Sequence, residues 1–192
     1  MKIGLFFGSF NPIHNGHLII ANYTCESTDL DKVWLVVSPQ NPFKTKETLL
    51  NEYDRLHLIN LAIEGNNKLR ASDIEFKLPK PSYTIDTLTY LKEKYPEHSF
   101  SLLMGSDNLA SLHKWKNYEQ ILKNYPIYLY KRRGSSDVKF PEGANIQVVD
   151  FPFLDISATF IRQCIKAGYS MQYFMPEKVW NYIEEMRFFR KT

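Results

Sequence analysis

The chain has little cysteine, no long apolar run and almost no charge imbalance, and each shortage removes a class of function. Two cysteines occur in 192 residues, Cys25 and Cys164, far apart and in no metal or redox spacing. Reduced thiols in a cytoplasmic protein are the simplest reading. No stretch approaches the roughly 20 apolar residues of a membrane span, and the apolar run near the start is too short for a signal-peptide core. Against 24 basic residues stand 21 acidic ones, a net charge of +3, and the basic residues are scattered apart from Lys131-Arg132-Arg133. A nucleic-acid footprint and a membrane surface are therefore not expected; local binding of an anionic small molecule is. HExxH and Cys/His clusters are absent, which argues against a protein-built metal site. GxSxG, a catalytic cysteine context and the P-loop string GxxxxGK[ST] are missing too, which argues against covalent catalysis and Walker-type phosphate binding. No linker, repeat or low-complexity tract interrupts a composition that is 44% apolar and 23% charged. One domain over residues 1–192 is expected, helical toward its end from about residue 157.

What is present is concentrated first in residues 3–20, IGLFFGSFNPIHNGHLII. The run Ile3 to Phe7 reads as a buried parallel strand and the breakers Gly8 and Pro12 as a tight loop. Helix-compatible sequence resumes at Gly16 and reaches about Thr24. His14 and His17 are three residues apart at the start of that helix, so both imidazoles share one face beside its unpaired backbone N–H groups. Such donors at the positive end of a helix dipole make an anion site, with phosphate its natural occupant. Gly8 lets the loop backbone approach a ligand, and Gly16 leaves room between the histidines.

KVWLVVSP reads as the second parallel strand. Lys44 would lie past its carboxyl end, as a phosphate contact or a solvated side chain. Residues 48–63 have helical spacing through Leu50, Tyr53, Leu58, Leu61 and Ala62, with His57 as a half-buried packing residue. Residues 68–76 read as a further strand. Pro79 and Pro81 then lead into SYTIDTLTYLKEKYP, a helix with Ile85, Leu88, Leu91 and Tyr95 on one face and Ser82 or a neighbour as its cap. Its first N–H groups, near Tyr83 and Thr84, either receive a ligand carboxylate or are simply capped. HSFSLLMGSD is a strand ending at Gly105, Ser106 and Asp107, and Asp107 bonds ribose hydroxyls or caps the next helix. That helix carries Leu109, Leu112 and Trp115 on toward Ile121 and Leu122, and Trp115 is a core anchor or a plate beneath a planar ring. PIYLYKRRG is a strand running into three cations that are solvated or watch a phosphate cleft; residues 134–145 read as a surface loop. IQVVDF is the last strand. Ser157 and Thr159 open the helix after it, Arg162 lies on its next turn and Gly168 closes it, either as a converging anion site or as an ordinary N-cap with a surface arginine. A final helix near residues 176–189 sets Val179, Ile183 and Met186 on one side, as core or as a subunit contact in a homo-oligomer.

Strand and helix patterns alternate to about residue 167, which predicts a Rossmann-like α/β fold, a doubly wound parallel sheet with helices on both faces. Right-handed crossovers then gather His14, His17, Lys44, Asp107 and the last strand–helix turn along one sheet edge. Two helix starts facing one cleft can hold two ends of a polyphosphate. With no nucleophile paired to a base, direct transfer is the economical chemistry: a phosphate attacks the α-phosphorus of ATP in line. Few protein groups suit Mg²⁺, so the ion is expected to ride mainly on the ATP phosphates and water.

GSFNPIHNGHL, PSYTIDTL, GSDNLASLHKW, KRRG, ISATFIR and YFMPEKVWNYI, in that order over nearly the whole chain, resemble the bacterial nicotinate-nucleotide adenylyltransferases of the HxGH nucleotidyltransferase superfamily. The resemblance implies that ATP and nicotinate mononucleotide give nicotinate adenine dinucleotide and pyrophosphate in NAD biosynthesis. It implies that His14 and His17 contact the ATP phosphates, that Ser157, Thr159 and Arg162 close over the β and γ phosphates, and that Gly105 and Asp107 hold ribose. Gly8, Ser9, Phe10, Gly16 and Ile156 join the ATP site on the same ground. For the mononucleotide it implies ring stacking on Trp115, carboxylate binding at the Tyr83–Thr84 backbone, and contacts from Ser9, Lys44 and Arg132. The family commonly has Thr and Asp where this chain has Ser9 and Asn11, and proline where it has Arg133. Pantetheine-phosphate adenylyltransferases share the first and last motifs but lack PSYTIDTL. A class I aminoacyl-tRNA synthetase fragment would bring a KMSKS-like string, which is absent, and a nucleotide sensor would keep the binding residues without turnover.

Overall fold

The computed structural model describes residues 1–39, 49–131, 140–141, 143–150, 152 and 155–190. Its strands are β1 (Lys2–Gly8), β2 (Lys32–Val37), β3 (Leu69–Ser72), β4 (Ser99–Gly105), β5 (Ile127–Tyr130) and β6 (Ile146–Val149). All neighbours pair in parallel, in the order β3-β2-β1-β4-β5-β6. The helices among the described residues are α1 (Asn15–Ser27), α2 (Glu52–Ala62), α3 (Thr84–Lys94), α4 (Ser106–Ser111), α5 (Tyr118–Asn124), α6 (Ala158–Lys166) and α7 (Glu177–Glu185). This is the expected doubly wound α/β sheet.

Period-two alternation in the strands divides the core. Val33, Leu35 and Val37 of β2, with Phe6 of β1, pack on one face against Ala21 and Cys25 of α1, Leu58 and Ile59 of α2, Ile161 of α6 and Val179 of α7. Trp34 and Val36, with Ile3 and Leu5, pack on the other against Leu88 and Leu91 of α3, Leu109 of α4 and Ile121 of α5. Strands that are buried on both faces need the near-continuous apolar runs the sequence shows. The strand order reverses between β1 and β4, so the loops leaving their carboxyl ends diverge to opposite faces and open a crevice there. Both cysteines are free thiols. No helix among the described residues is long and apolar enough to cross a membrane.

Several boundaries differ from those expected, each for a local reason. α2 starts at Glu52 because the Asn51 side chain accepts the Tyr53 N–H. On that helix Tyr53 is 64% exposed, and His57 is exposed as well, its ring against Tyr182 at 4.6 Å. The stretch 68–76 is strand only to Ser72 and then turns through a 3₁₀ segment, Ile74–Lys77. The long helix expected through Leu109 and Leu122 breaks at residues 115–117, where Asn117 takes a left-handed φ of 52°. α7 stops at Glu185, leaving Met186 beyond its end and exposed.

Candidate active site

The loop from β1 to α1 is shaped by its aromatic residue. Phe10 is buried with φ 44°, a conformation that costs a non-glycine residue about 1–3 kcal/mol unless packing holds it. Packing does: its ring lies edge-on to Phe6 at 5.6 Å and to His17 at 5.1 Å. A Cβ on Gly8 would come within 2.9 Å of that ring, so Gly8 makes room for Phe10. Gly16 does the same for His14, whose imidazole would meet a Cβ there at 3.0 Å. The two imidazoles stack at 3.7 Å and 28°, with His14 at the N-cap position of α1 and nearly buried. The pair expected from the three-residue spacing therefore forms, at the start of α1 and beside the strand-order reversal.

The far end of the chain closes on this loop. Arg162 of α6 donates to the backbone carbonyl of Asn11 at 2.8 Å and reaches Thr159 Oγ1 at 3.4 Å. Burial lowers the Arg162 guanidinium from its ordinary pKa. Ile156 Cβ lies 3.5 Å from the Cβ position of Gly16. Ser157 caps α6, accepting the Phe160 N–H at 3.2 Å. Neither α1 nor α6 has an acidic residue in its first turn, whereas α2, α3, α4, α5 and α7 each have one or more. The positive ends of α1 and α6 thus keep their dipole for an anion.

The third loop, after β4, carries Gly105 at the N-cap position of α4 and Asp107, exposed, inside its first turn. Asp107 is therefore not the cap itself. Half-buried Trp115 packs on the core face formed with α3, α4 and α5. Its neighbour Lys116 joins this loop to α3: Nζ donates to both Asp86 carboxylate oxygens, at 2.9 and 3.1 Å, and sits 4.9 Å from the Tyr83 ring centre. Trp115 and the Tyr83–Thr84 helix start are so brought to one place. The N-cap position of α3 is Tyr83, whose side chain makes no cap bond, and the Ser82 hydroxyl just before it donates to Glu75. Lys44 and Arg132 lie outside the described residues.

Two buried charges escaped the sequence reading. Arg55 of α2 has no exposed surface and donates to four backbone carbonyls, those of Leu50, Ser9, Ser38 and Pro39. Burial pulls its pKa down to about 10. Glu75, also buried, accepts the hydroxyls of Ser82 and Thr87, each at 2.9 Å, and burial raises its carboxyl pKa. A charged residue in an amphipathic pattern reads as solvent-facing, so no local signal marked either.

A cytidylyltransferase-like family model matches residues 5–164. A Flavobacterium psychrophilum protein named "Probable nicotinate-nucleotide adenylyltransferase" is 55% identical over 100% of both chains. A Bacteroides fragilis protein of the same name is 47% identical over 95% of this chain and 90% of its own length. Among solved structures, Plasmodium falciparum nicotinic acid mononucleotide adenylyltransferase complexed with NaAD shares the fold at TM-score 0.81 and 18% identity, over 98% of this chain and 97% of that one. With these identities spanning the described fold and the paired helix starts, the chain belongs to the nicotinate-nucleotide adenylyltransferases, within the cytidylyltransferase-like family.

Proposed function

We propose that this chain transfers the adenylyl group of ATP to nicotinate mononucleotide, giving nicotinate adenine dinucleotide and pyrophosphate in NAD biosynthesis. The observation that carries the reading is the bond from Arg162 to the Asn11 carbonyl, which draws the acid-free start of α6 to the histidine-bearing start of α1. A phosphate oxygen of the mononucleotide attacks the α-phosphorus in line; the bond to the β-phosphate breaks and pyrophosphate leaves. His14 and His17, at the start of α1, stabilise charge building on the α-phosphoryl oxygens, and Ser157, Thr159 and Arg162 receive the leaving pyrophosphate. Gly8, Ser9, Phe10, Gly16 and Ile156 shape the ATP side, and Gly105 and Asp107 hold ribose. Trp115 stacks on the pyridine ring, the Tyr83–Thr84 backbone takes its carboxylate, and Ser9, Lys44 and Arg132 complete that side.

Among the described residues no three His, Cys, Asp or Glu side chains converge as a metal cage, a donor set that fits Mg²⁺ carried by ATP phosphates and water. Bound there, the ion would neutralise phosphate charge. The whole chain acts as one domain in the cytoplasm, on small molecules rather than on nucleic acid or membrane, with α7 available to a homo-oligomer contact. Pyrophosphate release from ATP and Mg²⁺ tests the reading, with nicotinate mononucleotide, nicotinamide mononucleotide and 4′-phosphopantetheine compared in parallel. A strong rate with the acid alone is expected. Comparable rates with acid and amide would move selectivity away from Thr84, and silence with all three would leave a nucleotide sensor.

A further inference from the structure

We infer that Glu75 is a positioning residue for the mononucleotide half of the site: it fixes the start of α3 and so sets the preference for an acid over an amide. This rests on the proposed placement of the substrate carboxylate at the Tyr83–Thr84 backbone. Glu75 sits in the 3₁₀ turn after β3, 3% exposed. Its carboxyl accepts Ser82 Oγ, just before that backbone, and Thr87 Oγ1, one helical turn inside α3. The helix start is therefore gripped on both sides of the two residues in question. Ser82 is the residue type that normally caps a helix, yet its hydroxyl is directed to Glu75 and the cap position falls to Tyr83, whose side chain makes no cap bond. Asp86 N–H donates to the Tyr83 carbonyl at 3.0 Å, and no side chain caps the Thr84 and Ile85 N–H groups ahead of it. Ser38, in the loop after β2, lies near enough to the same carboxyl to favour its charged form, and the Ser38 carbonyl is held by Arg55 at 2.8 Å. Arg55 also holds the Ser9 carbonyl at 2.7 Å, tying the loop after β2, which runs beside Glu75, to the phosphate loop.

A carboxylate received by helix N–H groups gains from both dipole and geometry, while an amide gains little. Displacing the start of α3 therefore weakens the acid more than the amide. Electrostatics alone predicts the reverse: neutralising a nearby carboxyl should favour the anionic substrate. The sign of the selectivity change separates the two.

The experiment is steady-state kinetics of the full chain carrying Glu75→Gln and, separately, Thr87→Val, with KM for ATP and kcat/KM for the acid and amide mononucleotides. The expected result is a rise in KM for nicotinate mononucleotide of about 10-fold, the scale of losing one charge-assisted hydrogen bond. The acid-over-amide ratio should fall by a similar factor, with KM for ATP within about twofold of wild type. Thr87→Val keeps the side-chain shape, so if Glu75→Gln does not fold the same split is read from it. Equal rises for ATP and mononucleotide, or an acid-over-amide ratio that holds or increases, would overturn the inference. A wild-type enzyme indifferent between acid and amide would overturn the carboxylate placement itself, and the inference with it.

Discussion

The two ends of the cleft are built with opposite charge. At the α1–α6 end the helix starts carry no acid, two imidazoles stack, Arg162 is half-buried, and the fully buried Arg55 guanidinium donates to four backbone carbonyls. At the α3 end Asp86 lies in the first turn, Lys116 is paired with it, and the buried group is a carboxyl held by hydroxyls. A polyphosphate brings several negative charges and a pyridine carboxylate one. On the proposed placement of the ligands, the acid-free helix starts face the polyphosphate and an acid-bearing one faces the single carboxylate.

The largest effect should come from removing the frame beneath the phosphate end. Arg55→Met leaves buried carbonyls of Ser9, Ser38, Pro39 and Leu50 without their donor, at about 3 kcal/mol or more in stability. Thermal unfolding should show the midpoint lower by about 6–12 °C. An unchanged midpoint would mean that water replaces the guanidinium and that the end is not framed by this charge. His17→Ala tests the same end in chemistry: kcat should fall about 10²-fold or more, the scale for losing a transition-state donor, with the fold retained. A folded variant with wild-type kcat would remove His17 from the charge-stabilising role. At the opposite end Trp115→Ala should raise KM for the mononucleotide by about 10-fold, since stacking on an aromatic is worth ~1–3 kcal/mol, and leave KM for ATP nearly unchanged. Equal changes in both would make Trp115 a core residue serving the two ends alike.

The phosphate end was the more legible in sequence, and the reason is distance. His14, Gly16 and His17 lie within one turn, and Ser157, Thr159 and Arg162 within two, so each group could be read from local spacing as belonging to one helix start. The sheet was legible because buried parallel strands are short apolar runs between breakers. The α3 end depends on partners far off in the chain. Ser82 looked like a cap until Glu75, seven residues earlier, took its hydroxyl; the tie from Lys116 to Asp86 spans 30 residues. Arg55 was hidden for a related reason: its four acceptors come from the two loops that follow β1 and β2, and only the folded chain brings them together. The break at residues 115–117 was invisible because apolar spacing continues through it, and the left-handed Asn117 marks it only in the fold.

The finest test writes the α3 pattern onto the phosphate end. Ala158 is the first residue of α6, next to the Ser157 cap and half-buried. Ala158→Asp puts a carboxylate in that first turn, where the helix dipole should stabilise the folded chain by about 0.3–1 kcal/mol. The same charge competes with the ATP phosphates for the same N–H groups. Stability and activity should therefore move in opposite directions: a thermal midpoint raised by about 1–4 °C, and KM for ATP raised about 3- to 10-fold, since each 1.4 kcal/mol is tenfold. KM for the mononucleotide should hardly change. If ATP binding survives while the midpoint rises, the missing acids at α1 and α6 are a matter of helix composition and the two ends do not differ in kind. If both effects appear with the predicted signs, the acid-free helix starts are a stability the chain forgoes so that phosphate can take the place of a carboxylate.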